Sequence, residues 1–390
     1  MHLPVRTASA RRSTNLLAAL VAALTLAAAV LPAPALAGPA PARLDQVNVA
    51  PGILRQHYRY EGDHGGVDVQ VLRFRPDDAR VKMRPELGKG NIPGMEAPHE
   101  ALIRLSSQGA IAGINASFFS WSGLPAGDPI GMLVRDGHYV SQPEKGTIWR
   151  GAFGITKDGG IVFDHPGYAG RMVLPADASR LKPEQTFPIN AVNRWPKRRT
   201  EEDPERREVT VFTPAYGATT GNAAGVVEVT FEDYRLDPTH TRLGTVASVR
   251  NTGNAPIPPN GIVVAASEAY GREIWSRGYK PGDQLQLTFE VTDGWQSLWQ
   301  VVQGGPMLLE NGARTPASQW EQEGFSPSRH SDARHPRTAV GKTAAGELLL
   351  VTMDGRSSTS AGLSMRDSQT LLLHLGATDA VMMDGGGSTQ

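Results

Sequence analysis

The sequence predicts an α+β protein, a mixed sheet with a C-terminal βαβ unit in a single large domain. Three observations carry this. With 43 glycines and 29 prolines in 390 residues, the composition favours turns and short strands over a helical bundle. Alternating stretches such as Val67-Asp68-Val69-Gln70-Val71-Leu72 read as half-buried strands. Near the C-terminus, residues 347–353 read as a strand, 364–375 as a helix closed by Gly376, and 379–383 as a second apolar strand, which makes part of the sheet parallel.

In chain order, the first segment carries Arg6, Arg11 and Arg12 with no acidic residue, then an apolar run over 16–31 and Ala35-Leu36-Ala37. This reads as a secretory signal peptide over 1–37, because the run is shorter than the roughly 20 apolar residues a spanning helix needs. The expected location is therefore extracytoplasmic. Residues 38–55, opening with a Pro/Ala stretch, are expected to be a linker, and 56–390 the domain. Residues 96–107 show helical spacing at Ala101, Leu102 and Leu105, and 110–114 read as a short buried strand that delivers Asn115-Ala116-Ser117-Phe118-Phe119. The mixed charges of 194–208 read as a solvated loop. Strands are expected over 226–231, 261–266 and 285–291. No repeat of 20 to 50 residues is visible.

Composition excludes several function classes. The 39 basic and 39 acidic residues balance, so the basic excess of a nucleic-acid binder is absent, and removing three leader arginines leaves a slightly acidic chain. The absence of cysteine rules out disulfides, thiolate metal sites and a cysteine nucleophile.

The candidate chemistry gathers at predicted strand ends, where ligands collect in parallel sheets. Asp384-Gly385-Gly386-Gly387-Ser388-Thr389 places a carboxylate before residues whose backbone N–H groups can cradle an anion, although a flexible Gly/Ser tail has the same composition. Asp354-Gly355-Arg356 offers a second carboxylate and a guanidinium, or simply a turn. Arg337 enters a strand where it can grip a phosphate or carboxylate bidentately, against the bland alternative of a surface ion pair. Ser364 and Asp367 fit a helix capping box better than a catalytic serine. His330 and His335 have poor zinc spacing and His374 falls on a helix, so no metal and no cofactor is expected. Gly304-Gly305-Pro306-Met307-Leu308 is either a hairpin or backbone that approaches a ligand. Trp121 and Trp195 are candidate sugar platforms, with core packing the default for tryptophan.

Taken together, Ile114-Asn115-Ala116-Ser117-Phe118-Phe119, Gly304-Gly305-Pro306-Met307-Leu308, Arg337-Thr338-Ala339-Val340-Gly341, Val351-Thr352-Met353-Asp354-Gly355-Arg356 and Met383 to Thr389 resemble the phosphodiester glycosidase family. The resemblance runs from about Val67 to the C-terminus. It departs at Asn115-Ala116-Ser117, where the family has Asn-Gly, and at Asp367, where it has Glu. It also implies a domain that runs on beyond Gln390. The implied activity is a secreted hydrolase cleaving the bond between a sugar's anomeric carbon and a phosphodiester oxygen, on a cell-surface glycan or exopolysaccharide. The implied catalytic residues are Asp384, Asp354, Arg337 and Asn115. The implied substrate contacts are Thr338, Arg356, Gly304, Gly305, Gly385, Gly386, Gly387, Ser388 and Thr389. A phosphodiester is a good leaving group, so positive charge matters more than a proton donor. Arg337, Arg356 and the amides after Asp384 would hold the phosphate, and Asp384 or Asp354 would face the anomeric carbon as nucleophile or base. Asn115 would orient sugar hydroxyls. The alternatives are a non-catalytic glycan-binding module, and a metal-dependent phosphodiesterase with the two aspartates as ligands.

Overall fold

The computed structural model describes residues 38–62, 65–122, 126–194, 208–236, 241–292 and 294–390. The expected leader, Trp195 and nearly all of the charged 194–208 stretch lie outside the described residues. Residues 36–390 form one compact unit. It is mostly sheet, with 40% strand and 15% helix, in several sheets of which one curls into a half-barrel.

The sheet that positions the candidate site has eight strands: β1 (Ala42–Ala50), β2 (Ile53–Gly62), β3 (Gly65–Phe74), β4 (Met307–Glu310), β5 (Ala313–Arg314), β6 (Arg337–Thr343), β7 (Leu348–Met353) and β8 (Ala377–Met382). Their spatial order is β1-β2-β3-β7-β6-β8-β4-β5. The strand–helix–strand order expected at the C-terminus is present, with helix α2 (Met365–His374) between β7 and β8. The hydrogen-bonded parallel pair is not. β6 lies between β7 and β8 and runs antiparallel to both. A tight turn explains this: Gly346 N–H bonds the Thr343 carbonyl at 3.0 Å, and Thr343 N–H bonds the Glu347 carbonyl at 2.9 Å. That hairpin pairs β7 with one edge of β6 locally, leaving the returning β8 the other edge. Among the described residues, the parallel pairing joins Ala191–Val192 to Val209–Phe212, in another sheet.

Two further expectations are corrected. Residues 38–55 are not a plain linker, because β1 forms an antiparallel ladder with β2 from Ala42 opposite Arg59 to Ala50 opposite Ile53. Nearly the whole of β1 is exposed, so the ladder rather than an apolar face holds it. Residues 110–114 are not a buried strand: they form no regular element, and Ile111 is 51% exposed. The preceding helix α1 (Pro98–Leu105) forms as expected, its first turn closed by Glu100 accepting the Ala97 N–H at 3.1 Å. The expected later strands appear as Val227–Phe231, Ile262–Ala266 and Gln284–Val291.

Alternation along β6 divides its two faces. Ala339 joins an apolar cluster with Met353, Met382, Leu371 and Trp320, under α2. Val340 joins the opposite cluster with Phe153, Val302 and Val381. Above the strand ends a short hairpin pairs Phe118–Phe119 with Pro129–Ile130. Beside it Asp128 is 1% exposed, its Oδ2 3.3 Å from Arg194 and its Oδ1 without a partner among the described residues. Burial pushes this carboxyl up to about 7, against the pull of Arg194.

The sign of the pH effect follows. The folded state favours the protonated acid, so stability is highest below the ordinary carboxyl range and falls as pH rises toward 7. At about 1.4 kcal/mol per pH unit the window spans roughly 4 kcal/mol. Urea unfolding at pH 4.5 and 7.5 should show this loss, and Asp128→Asn should flatten it; an unchanged pH slope in the variant would refute the assignment.

Candidate active site

Because β6 runs against β7 and β8, its first residue stands where theirs end. Arg337 is in register with Met353, and Ala339 with Met382. Asp354 and Asp384 therefore follow strands on opposite sides of Arg337. Arg337 falls on the α2 side of the sheet and Thr338 on the other, so the expected site residues divide into two groups that meet at the 384–390 turn.

The first group is centred on Asn115, which is 8% exposed. Its Nδ2 donates to the Asp384 carbonyl at 2.7 Å. Its Oδ1 accepts the Thr338 hydroxyl at 2.6 Å and the Gln390 N–H at 3.2 Å. Thr338 Oγ1 also lies 3.4 Å from Thr389 Oγ1. The Asn115 amide is thus taken up in fixing the turn. Asp384 is half-buried, and burial raises its pKa; hydrogen bonds from Ser388 and the Gly385 N–H oppose this. A cavity of about 1250 Å³ opens here, with Asn115, Asp384, Ser388, Phe119 and Trp121 in its wall. Trp121 is no core residue: it is 76% exposed, with the Phe119 ring 5.7 Å away.

The second group is cationic. Arg337 is 5% exposed and has no ion-pair partner among the described residues. Nε donates to the Leu363 carbonyl at 3.0 Å, and one terminal nitrogen donates to the carbonyls of His330 and Ala333 at 2.6 and 2.7 Å. Burial, with the nearby Arg356 charge, lowers its pKa to about 10. Carbonyls thus occupy Nε and Nη2, two of the three guanidinium nitrogens that a bidentate grip could use. Arg356 is exposed and donates to His335 Nδ1 at 2.8 Å. A Cβ on Gly386 would stand 3.2 Å from the same guanidinium, so the glycine admits Arg356 to the turn. His335 and His330 both have lowered pKa values. Burial is the main cause for each, with Arg337 and Arg356 acting on His335, and Arg329, Arg337 and Arg150 on His330.

Other expected residues are placed differently. Asp354 is exposed, and its N–H bonds the Asp68 carbonyl at 2.8 Å, on the β3 side away from Asp384. The expected anion cradle of Gly385, Gly386 and Gly387 is mostly spent. Gly385 N–H bonds the Asp384 side chain, Gly386 N–H the Pro336 carbonyl, Ser388 N–H that of Gly385 and Thr389 N–H that of Gly386. Gly387 N–H is the one left over among the described residues. Gly304 and Gly305 are backbone spacers, since a Cβ on Gly304 would lie 2.2 Å from the Met382 carbonyl, which the Gly305 N–H already bonds at 2.9 Å. Ser364 caps α2 with Asp367, as expected.

Three residues outside every motif gather around the Gly304–Gly305 turn. Glu323, with a fully buried side chain, accepts the Gly151 N–H at 2.7 Å and the Met307 N–H at 3.1 Å, and pairs with His165 at 3.1 Å. Burial opposes it, yet the bonds to Asp164 and Glu323 carry the His165 pKa up to about 9. Arg150 packs against Phe118 and Phe325. Lone polar residues outside strands and helices give no periodic signal, which is why the sequence is silent about them. Among the described residues no group of three His, Asp or Glu can hold a metal ion.

The fold class is a sheet-rich single domain shared with solved bacterial proteins. A hypothetical protein from Synechocystis superposes with a TM-score of 0.66 at 21% identity, over 90% of this chain and 59% of its own. A Burkholderia pseudomallei K96243 protein described as exported superposes at 0.64 with 24% identity, over 83% and 69%. Residues 240–390 match the phosphodiester glycosidase family. A curated relative, the SPbeta prophage-derived uncharacterized protein YomE of Bacillus subtilis strain 168, is 42% identical over 59 residues. The chain spans 9% of that relative's length.

Two outcomes are expected from variants here. Asn115→Ala removes three hydrogen bonds and should cost roughly 2–4 kcal/mol in chemical denaturation, with faster amide exchange across 385–390. Glu323→Ala strips two buried amides and an imidazolium of their acceptor and should cost about 3–5 kcal/mol; a loss under 1 kcal/mol would disprove its anchoring role.

Proposed function

We propose that the protein is a secreted hydrolase that cleaves a sugar 1-phosphodiester at the anomeric C–O bond, releasing free sugar and a phosphomonoester. The carrying observation is the pair of guanidiniums, Arg337 buried without a carboxylate and Arg356 exposed beside it, next to the half-buried Asp384. The family match of 240–390 supports the reaction class.

Arg356 binds the phosphate oxygens, and the field of Arg337 stabilises the negative charge that grows as the C–O bond breaks. Neutral histidines add no competing anion partner. Asp384, ionised above its raised pKa, faces the anomeric carbon as nucleophile or as base for water, and steadies the oxocarbenium-like transition state. Trp121 offers a face for the sugar at the cavity mouth. Thr338, Ser388 and Thr389 fix the turn that aims Asp384, and Asn115 acts through the same turn. The substrate is a cell-surface glycan or exopolysaccharide phosphodiester. Action outside the cytoplasm is supported by the leader-like sequence of 1–37 and by the exported Burkholderia neighbour.

The test is sugar release from an N-acetylglucosamine phosphodiester in heavy-oxygen water. Label should enter the sugar, and kcat/KM should rise with pH through a midpoint above the ordinary aspartate value of 3.8. Asp384→Asn should lower kcat by about 10³-fold or more. Label in the phosphate would overturn C–O cleavage, and undiminished turnover by the variant would remove Asp384 from the chemistry.

A further inference from the structure

Arg150 carries charge that the phosphodiester reading does not use. Its guanidinium carbon lies 4.9 Å from the Phe325 ring centroid and 5.8 Å from that of Phe118, and those two rings are 5.7 Å apart. Nε donates to the Glu323 carbonyl at 3.2 Å. Among the described residues no carboxylate pairs with it. Glu144 lies 3.4 Å from Arg194 instead, and the Glu323 carboxylate is occupied by His165 and by the N–H groups of Gly151 and Met307. Burial lowers the Arg150 pKa against the more distant pull of Glu144 and Glu323.

This cation belongs to the same electrostatic neighbourhood as the proposed phosphate site. His330 feels both Arg337 and Arg150, and its ring stands edge-on to Phe325 at 5.5 Å. The Gly304-Gly305 turn makes the room: Gly305 has φ +98°, and a Cβ there would stand 3.1 Å from both Arg150 Cβ and the Phe325 ring. A phosphodiester carries one negative charge, which Arg337 and Arg356 already exceed. A third guanidinium, stacked on aromatic faces and lacking a carboxylate, is a preorganised anion receptor.

We propose that Arg150, held against Phe118 and Phe325, forms a second anion subsite that takes a further phosphoryl or carboxylate group borne by the same substrate. The inference rests on the phosphodiester reading of the Arg337–Arg356 site and narrows it to substrates with two acidic groups.

Calorimetric titration of the full chain with inorganic phosphate, pyrophosphate and phosphonoacetate tests it without turnover. At least one of the two bifunctional anions should bind tenfold or more tighter than phosphate, pyrophosphate leading for a phosphoryl group and phosphonoacetate for a carboxylate. Arg150→Met should bring that ratio to within twofold of one, and Arg150→Lys, which keeps the charge but loses the fork, should fall between. Circular dichroism checks the folding of both, and Arg150→Lys decides if the Met variant unfolds. A wild-type ratio near one, or a ratio unmoved by both variants, would overturn the subsite. Absence of sugar release with the ratio intact would count against the hydrolase reading alone.

Discussion

A guanidinium taken out of water loses solvation that only a carboxylate or several oriented oxygens can replace. Arg337 has the second arrangement. Its three carbonyl partners come from His330, Ala333 and Leu363, so a single side chain on β6 draws together two loops that are separated in sequence. The carbonyls satisfy its hydrogen bonds without cancelling its charge. What emerges is a fixed positive field at the strand ends, already felt by His330 and His335 and reinforced by Arg356.

Glu323 balances this arrangement from behind. Its carboxylate is shared between two backbone amides and the His165 ring, so it orders the turn around Gly304-Gly305-Pro306 while its charge is met by His165. The two buried ionic groups therefore differ in kind. One is matched by an opposite charge, the other only by carbonyl oxygens. Loss of its partner leaves a buried ion expensive, and on the proposed reading an incoming anion supplies the missing partner to Arg337 and Arg150.

Legibility from sequence followed the range of the forces involved. Strands β3, β6, β7 and β8 were readable because alternation and apolar runs report local burial. The capping box at Ser364 and Asp367 was readable because it closes within four residues. The parallel pairing was misread because strand order depends on which edge is still free, and the Thr343–Gly346 turn settles that before α2 returns the chain. β1 was missed because an edge strand held by its ladder shows no buried face. Asp384 and Arg337 stand at strand ends, as their motifs suggest. Arg150, Glu323 and His165 were not readable, since their meaning lies in contacts made across more than 150 residues of chain. The glycine turn after Asp384 misled in another way: composition shows that amides are present, not that its own carbonyls and Pro336 consume them.

The unequal settings of Asp354 and Asp384 bear on how such a site works. Paired carboxylates serve glycosidases whose leaving group needs a proton, and the distance between them then sets the stereochemistry. Here Asp354 is exposed on the β3 side, whereas Asp384 is half-buried beside Ser388 with its affinity for a proton raised. A phosphodiester departs as a weakly basic anion, so the acid of the usual pair has little to do. On the proposed reading its place is taken by charge that is already fixed and needs no proton transfer, from the exposed Arg356 and the buried Arg337. On the proposed reading, one carboxylate facing the sugar and two guanidiniums facing the phosphate divide the work that two carboxylates share elsewhere, and β6, antiparallel to both β7 and β8, places Arg337 at the strand ends between Asp354 and Asp384.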